Sequence, residues 1–288
     1  MRGPRRWKRQ LCRGAFWGKG GKAVVAEAVE IEHLTGFAIQ TIRDAGKEAL
    51  SYYGKGNPDV RFDEGLVTEA ELHLSDFFQV RLGARFPEHR IFNNNQEDKG
   101  YSHDGERYLW VFDALDGVAN FQGGIPVWGI SLALLENFWP IFGAFYMPVT
   151  GDLFHARAGQ KAYWGDHEIH ALSQSEVNDE SVLLTYSRFH NHYRTSFPGK
   201  IRSLGSTAAH LCYVAGGQAE AAVIIHETFQ DLAAARIIVE AAGAKIFRMN
   251  GDGFFLNEYL DGSKIDEHLM VSTPGNWNLV RDSLQPVA

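Results

Sequence analysis

Five consecutive apolar residues, Tyr108-Leu109-Trp110-Val111-Phe112, run straight into Asp113. A run with no polar alternation reads as a strand covered on both faces. Structure must therefore lie on either side of it, and stacked layers of sheet and helix are the expected architecture. The 288 residues supply enough chain for this. At roughly 100–200 residues per domain they make one large or two modest domains.

The rest of the chain fits the layered plan. Ile31, Leu34, Ala38, Ile42, Ala45 and Ala49 recur at three- and four-residue steps and predict one face of a helix ending at Gly54. Thr68 followed by Glu71 reads as a capping box opening a second helix that runs to Phe86, before Pro87. A short strand at Ile91-Phe92 leads into Asn93, Asn94 and Asn95. Strands at 128–135, 138–147 and 152–157, joined by short turns, suggest an antiparallel sheet. The second half alternates strands at 181–186, 201–203, 219–225, 244–247 and 269–272 with helices at 206–215, 230–242 and 275–284. The expected class is α+β in front and α/β behind. The expected division is a basic disordered tail at 1–24, an N-terminal α+β subdomain at 25–150 and a C-terminal α/β subdomain at 151–288.

Composition excludes several classes. Hydrophobic residues make 45% and charged residues 22%, as in ordinary globular proteins, so the chain is not a disordered, collagen-like or disulfide-scaffold protein. The longest apolar stretch, 129–149, is broken by Glu136, Asn137 and Pro140, short of the roughly 20 apolar residues of a membrane span. Residues 1–22 carry eight basic side chains and no acid. Removing these from the 28 basic residues leaves 20 against 35 acidic ones, a net charge of −15, which makes the body a poor partner for nucleic acid. The basic segment lacks the apolar core of a secretory signal and reads as a solvated tail. Cys212 falls in the apolar pattern of a helix and Cys12 in the tail, which fits a reducing, cytoplasmic setting. The 12 histidines offer no zinc-finger or His-Glu-x-x-His spacing, and no phosphate-loop lysine motif occurs.

The chemistry concentrates at Asp113-Ala114-Leu115-Asp116-Gly117-Val118-Ala119-Asn120-Phe121. A tight turn after the buried strand would aim both carboxylates and the Leu115 carbonyl at one point, the all-oxygen cluster that hard divalent cations take. A short helix from Gly117 would add free backbone N–H groups for an anion. Spacing alone leaves a plain turn as the competing reading. Asp231 opens a helix, where the dipole favours a carboxylate whether or not it has a further use.

The segment resembles the signature Asp-Pro-Ile-Asp-Gly-Thr-x-Asn-Phe of the inositol monophosphatase family. The likeness continues in order through Leu66–Glu71, Phe86–Ile91, Pro148, Leu153-Phe154, Gly159, Arg202–Ser206 and Gln230–Ala234, over about residues 30–250. The resemblance implies a layered αβαβα sugar-phosphatase fold, a homodimer, and Mg²⁺-dependent hydrolysis of a small sugar or polyol phosphate by metal-activated water. No nucleic-acid or membrane partner is expected. It implies that Asp113, the Leu115 carbonyl, Asp116 and Asp231 hold metal, that Gly117 and Val118 offer N–H groups to phosphate, and that Gly205, Ser206 and Thr207 border the alcohol.

Four departures stand out. The family's Gly-Glu-Glu turn, whose first glutamate is a metal ligand, reads Asn93-Asn94-Asn95. Asn94 can still offer a carbonyl oxygen, but no charge and no base. The threonine after the signature glycine is Val118, its aspartate partner is Glu71, and a glutamate that contacts the inositol ring in animal members falls on Ile224. Glu97 and Asp98, just past the asparagines, could supply the missing acid, though loop acids are usually solvated. The leading reading is an active phosphatase with Asp113, Asp116, Asp231 and Asn94 in the site. The alternative is a catalytically weak or silent member that binds or regulates.

Overall fold

The computed structural model describes residues 21–56, 64–92, 107–173 and 176–287, with side chains from Val29 in the first helix and Glu69 in the second. The basic segment 1–20 with Cys12, and the stretch 93–106 holding Asn93, Asn94, Asn95, Glu97 and Asp98, lie outside the described residues. By contacts the chain divides into two units, residues 1–37 and 38–288. Of the first, the described part is the opening of helix α1 (Gly21–Leu50), where the Thr35 hydroxyl donates back to the Glu32 carbonyl at 3.1 Å.

The second unit begins within α1. Its Ala38, Ile42, Ala45 and Ala49 are fully buried, as their spacing predicts. Helix α2 spans Glu64–Arg85, so it starts before the expected cap and Thr68 lies inside it. Gly65 costs only about 1 kcal/mol in a helix. Seven strands follow: β1 (Arg90–Ile91), β2 (Tyr108–Asp116), then, after the short helix α3 (Val118–Gly123), β3 (Gly129–Glu136), β4 (Trp139–Met147), β5 (Asp152–Arg157), β6 (Ala162–Trp164) and β7 (His167–Ile169). They form one sheet in chain order, antiparallel except for the parallel pair β1 and β2.

The remaining chain builds β8 (Val182–Thr185), β9 (Tyr193–Thr195), β10 (Lys200–Arg202), α4 (Thr207–Ala215), β11 (Ala221–Ile224), α5 (Phe229–Ala241), β12 (Lys245–Arg248), β13 (Leu269–Ser272), α6 (Pro274–Arg281) and β14 (Leu284–Pro286). Five of these strands form a second sheet, ordered β10-β8-β11-β13-β12, and β14 pairs with β9. The expected final helix to 284 stops at Arg281. Ser283 there donates to the Val280 carbonyl at 2.6 Å, and Leu284 turns into a strand opposite Thr195.

Both faces of β2 are covered, which fixes the layer order. On one face Phe112 stacks on Phe78 of α2 at 4.7 Å between centroids, and Trp110 on Phe86 at 5.8 Å. On the other, Leu109 and Val111 join the core formed with α4, α5 and the second sheet. The second sheet alternates in the same way. Leu184, Ala222, Ile224, Leu269 and Val271 face that central core, while Leu183, Ala221, Val223 and Met270 face α6 and Val280. The succession is helix, sheet, helix, sheet, helix, the expected αβαβα fold.

Helix α5 crosses β2 to β5 and comes closest at Gly143, where a Cβ would sit 2.4 Å from the Ala234 carbonyl oxygen. Backbone cannot yield there as a side-chain tip can, so Gly143→Ala is expected to cost about 1–3 kcal/mol, a fall in Tm of roughly 2–12 °C. Gly83 of α2 has open space around its Cβ position. Gly83→Ala should therefore raise Tm slightly, by the roughly 0.5–1 kcal/mol that alanine gains in a helix interior. Thermal unfolding of the two variants checks the packing, and a stable Gly143→Ala would contradict it.

Candidate active site

In a regular strand residues three apart point to opposite faces. Asp113 pairs with Ser131 and Asp116 with Gly129, so three steps on β2 match two on β3. This one-residue bulge resets the alternation and brings both carboxylates to one side. The Asp113 side chain closes the bulge by accepting from the Leu115 N–H at 3.1 Å. Gly117 then turns the chain at φ 88°, in the left-handed region. A Cβ there would meet Trp128 at 3.1 Å, so glycine is required on both counts. Val118 opens α3 immediately afterwards.

The loop before α4 is tied to this strand end from three directions. Asn120 donates to the Leu204 carbonyl at 2.6 Å and to Val127 at 2.5 Å. His210 accepts from the Leu204 N–H at 2.9 Å, and burial pushes its pKa down to about 4, so the ring stays neutral and can accept. Asp116 accepts from the Ser206 hydroxyl at 2.5 Å, the Thr207 N–H at 3.2 Å and the Ala208 N–H at 2.8 Å. A carboxylate on the first turn of α4 is the arrangement the helix dipole favours.

Helix α5 delivers the third aspartate. Gln230 donates to the Phe112 carbonyl at 3.1 Å, which anchors the start of α5 on the residue before Asp113. Asp231 accepts from the Thr228 N–H at 2.7 Å and so also caps its own helix. Just ahead lies Glu227, half-buried, which accepts from the Thr207 hydroxyl at 2.7 Å.

Four carboxylates thus crowd one place. Asp113 is pushed well above the ordinary range, first by burial and then by Asp231, Asp116 and Glu227. Asp116 rises to about 6, with burial outweighing the donors from α4. Glu227 rises to about 8 through burial, Asp231 and Asp116, and Asp231 is raised by burial against its Thr228 bonds. Among the described residues no three acidic, histidine or cysteine side chains converge as a ready-made cation cage. The donors nevertheless fit a hard divalent cation in kind and in charge, all being oxygen with excess negative charge to offset.

The structure therefore brings together Asp113, Leu115, Asp116, Gly117, Val118, Gly205, Ser206, Thr207 and Asp231. Asn94 lies outside the described residues. Glu71 is half-buried in α2 and raised by burial alone, and Val118 offers it no hydroxyl. Ile224 is buried in the central core. Glu227 and Gln230 were not foreseen. A polar residue immediately before Asp231 and an acid just beyond a buried strand were the available signals.

Comparison with known proteins finds relatives in sequence and in fold. The model of the inositol monophosphatase family matches residues 30–266. A histidinol-phosphatase of Chlorobaculum parvum is 28% identical over 74% of this chain and 85% of its own length. An inositol-1-monophosphatase of Bacillus subtilis is 28% identical over 74% and 84%. In fold, an IMPase of Thermotoga maritima superposes with a TM-score of 0.70 at 24% identity, covering 87% of this chain and 96% of that one. With most of its length matched, the chain belongs to the inositol monophosphatase family.

Proposed function

We propose that this chain is a Mg²⁺-dependent phosphomonoesterase acting on a small sugar or polyol phosphate, as a cytoplasmic homodimer. The observation that carries the reading is the gathering of Asp113, Asp116 and Asp231 where β2 meets α4 and α5. The relatives' names support the substrate class, since histidinol phosphatase and inositol-1-monophosphatase both denote enzymes of phosphorylated small alcohols. The buried free thiol of Cys212 supports a reducing compartment.

In this reading Asp113, Asp116, Asp231 and the Leu115 carbonyl hold the cation, with Asn94 as a neutral ligand. When bound, a divalent cation offsets the carboxylates, polarises the phosphoryl group and makes water a stronger nucleophile. The chain's own residues do the rest. Backbone N–H groups of Gly117 and Val118 face the phosphate, and Gly205, Ser206 and Thr207 border the alcohol. Ser206 and the first N–H groups of α4 hold Asp116 in place before any ligand arrives.

Phosphate release from inositol, fructose, histidinol and nucleotide monophosphates, with and without Mg²⁺, tests the reading. Asp113→Asn should lower Mg²⁺-dependent release by more than the roughly 10–100-fold cost of losing a supporting residue. Release that survives the change would remove Asp113 from the site. Val118 cannot orient water and Asn94 brings no charge, so the double change Asn94→Glu with Val118→Thr should raise kcat by about 10–100-fold. A folded, metal-binding double variant no faster than the parent would show that these two positions do not limit turnover.

A further inference from the structure

Two histidines far apart in the chain meet at one end of the second sheet. His268 immediately precedes β13, and His192 precedes β9 after a single 3₁₀ turn at Phe189–Asn191. Their ring centroids are 5.1 Å apart, with the planes inclined at 60°. Both rings are held at the same nitrogen. Nδ1 of His192 lies 2.8 Å from the Tyr186 hydroxyl, and Nδ1 of His268 lies 2.6 Å from the Tyr193 hydroxyl. The Tyr186 ring stands 5.7 Å from each imidazole and so fills the space behind the pair. A further histidine, His226 beyond the end of β11, turns its Nδ1 toward Asp266 at 3.5 Å.

A histidine that ligates metal is oriented by a hydrogen bond at one ring nitrogen and offers the other. Here Nε2 of both rings takes no hydrogen bond among the described residues, and His192 is exposed while His268 is part-buried. With Zn–N distances of about 2.0–2.1 Å and tetrahedral angles, two imidazoles on one ion have centroids roughly 5 Å apart. The observed spacing meets that requirement. Burial, then His192 and His226, lower the His268 pKa, which favours the neutral ring that a ligand must present. Burial also raises Tyr186 and Tyr193, so both hydroxyls stay neutral, and each has an oxygen able to accept from an Nδ1–H.

We infer that His192 and His268 form a binding site for a divalent cation of the zinc class, separate from the carboxylate cluster. Imidazole nitrogen suits Zn²⁺, Ni²⁺ and Cu²⁺, whereas Mg²⁺ takes oxygen, so the two sites draw on different ions. No third acidic, histidine or cysteine group completes the set among the described residues, and water fills the remaining positions. The bound ion would act as a clamp. β9 pairs with β14, and the His192 carbonyl accepts from the Val287 N–H at 2.8 Å, so a cation shared with His268 ties the C-terminal ribbon to β13. The site needs neither the phosphatase reading nor any residue assigned to it.

Calorimetric titration of Zn²⁺ into the full chain in excess Mg²⁺ tests this on the parent, His192→Ala, His268→Gln, Tyr186→Phe and Asp113→Asn. The parent should bind Zn²⁺ in a form that Mg²⁺ does not displace. Tyr186→Phe, which removes only the orienting hydroxyl, should weaken binding by roughly 10-fold. His192→Ala and His268→Gln should each weaken it far more, and Asp113→Asn should leave it as in the parent. Zn²⁺ should also raise the Tm of the parent, as any ligand of the folded state does, but not that of His192→Ala. His192 is exposed, so its replacement should leave the metal-free Tm close to the parent's and keep the comparison sound. Zn²⁺ binding retained in both histidine variants, or lost in Asp113→Asn, would place the ion elsewhere and overturn the assignment. Absence of any Zn²⁺ binding that survives excess Mg²⁺ would overturn it as well.

Discussion

Like-charge crowding at the end of β2 is the constraint that the second half of the fold serves. Asp113 and Asp116 are turned to one side by a bulge, and α5 brings Asp231 to the same place with Glu227 just ahead of it. Carboxylates so placed repel one another: Asp113, Asp116 and Glu227 are raised first by burial and then by their neighbours, and Asp231 by burial. The structure holds them with directed donors: the first turn of α4 for Asp116, Thr228 for Asp231, Thr207 for Glu227 and the Leu115 amide for Asp113. Gln230 and Asn120 tie the elements that carry these donors to the strand end.

The arrangement costs stability as pH rises. A carboxylate whose folded-state pKa lies above its unfolded value costs nothing below the unfolded value, costs progressively more as pH rises between the two, and keeps its full penalty above the folded value. For Glu227 that rise runs from 4.5 up to about 8, so at neutral pH most of it is already present. A cluster kept in the face of such a penalty belongs to function rather than to stability. In the proposed site a cation would relieve it by offsetting the charge, which would couple metal affinity to fold stability.

Much of this was legible in the chain. The unbroken apolar run at 108–112 predicts a doubly covered strand, and the covering is found in Phe78 on one side and the central core on the other. The periodicity of α1 and the Asp-x-x-Asp-Gly spacing carried over in the same way. Other features left little trace. The bulge depends on pairing with Ser131 and Gly129, which is a property of two strands and not of one. Glu227 follows an apolar strand and reads as a surface acid, because the left-handed turn at His226 that folds it inward is unusual for histidine. The start of α2 came early since Thr68 and Glu71 read as a capping box, and strands as short as β6, β7, β9 and β14 carry too few residues to show a period.

The most direct test of the account is calorimetric titration of Mg²⁺ into the parent chain at pH 7.5, repeated in buffers of different ionisation enthalpy. Carboxylates held partly protonated by burial and by one another must give up protons to a cation. The account predicts saturable binding with net proton release, and affinity that falls as pH is lowered toward 6. Binding with no proton release and no pH dependence, or no binding at all, would contradict the claim that the crowded carboxylates form the cation site.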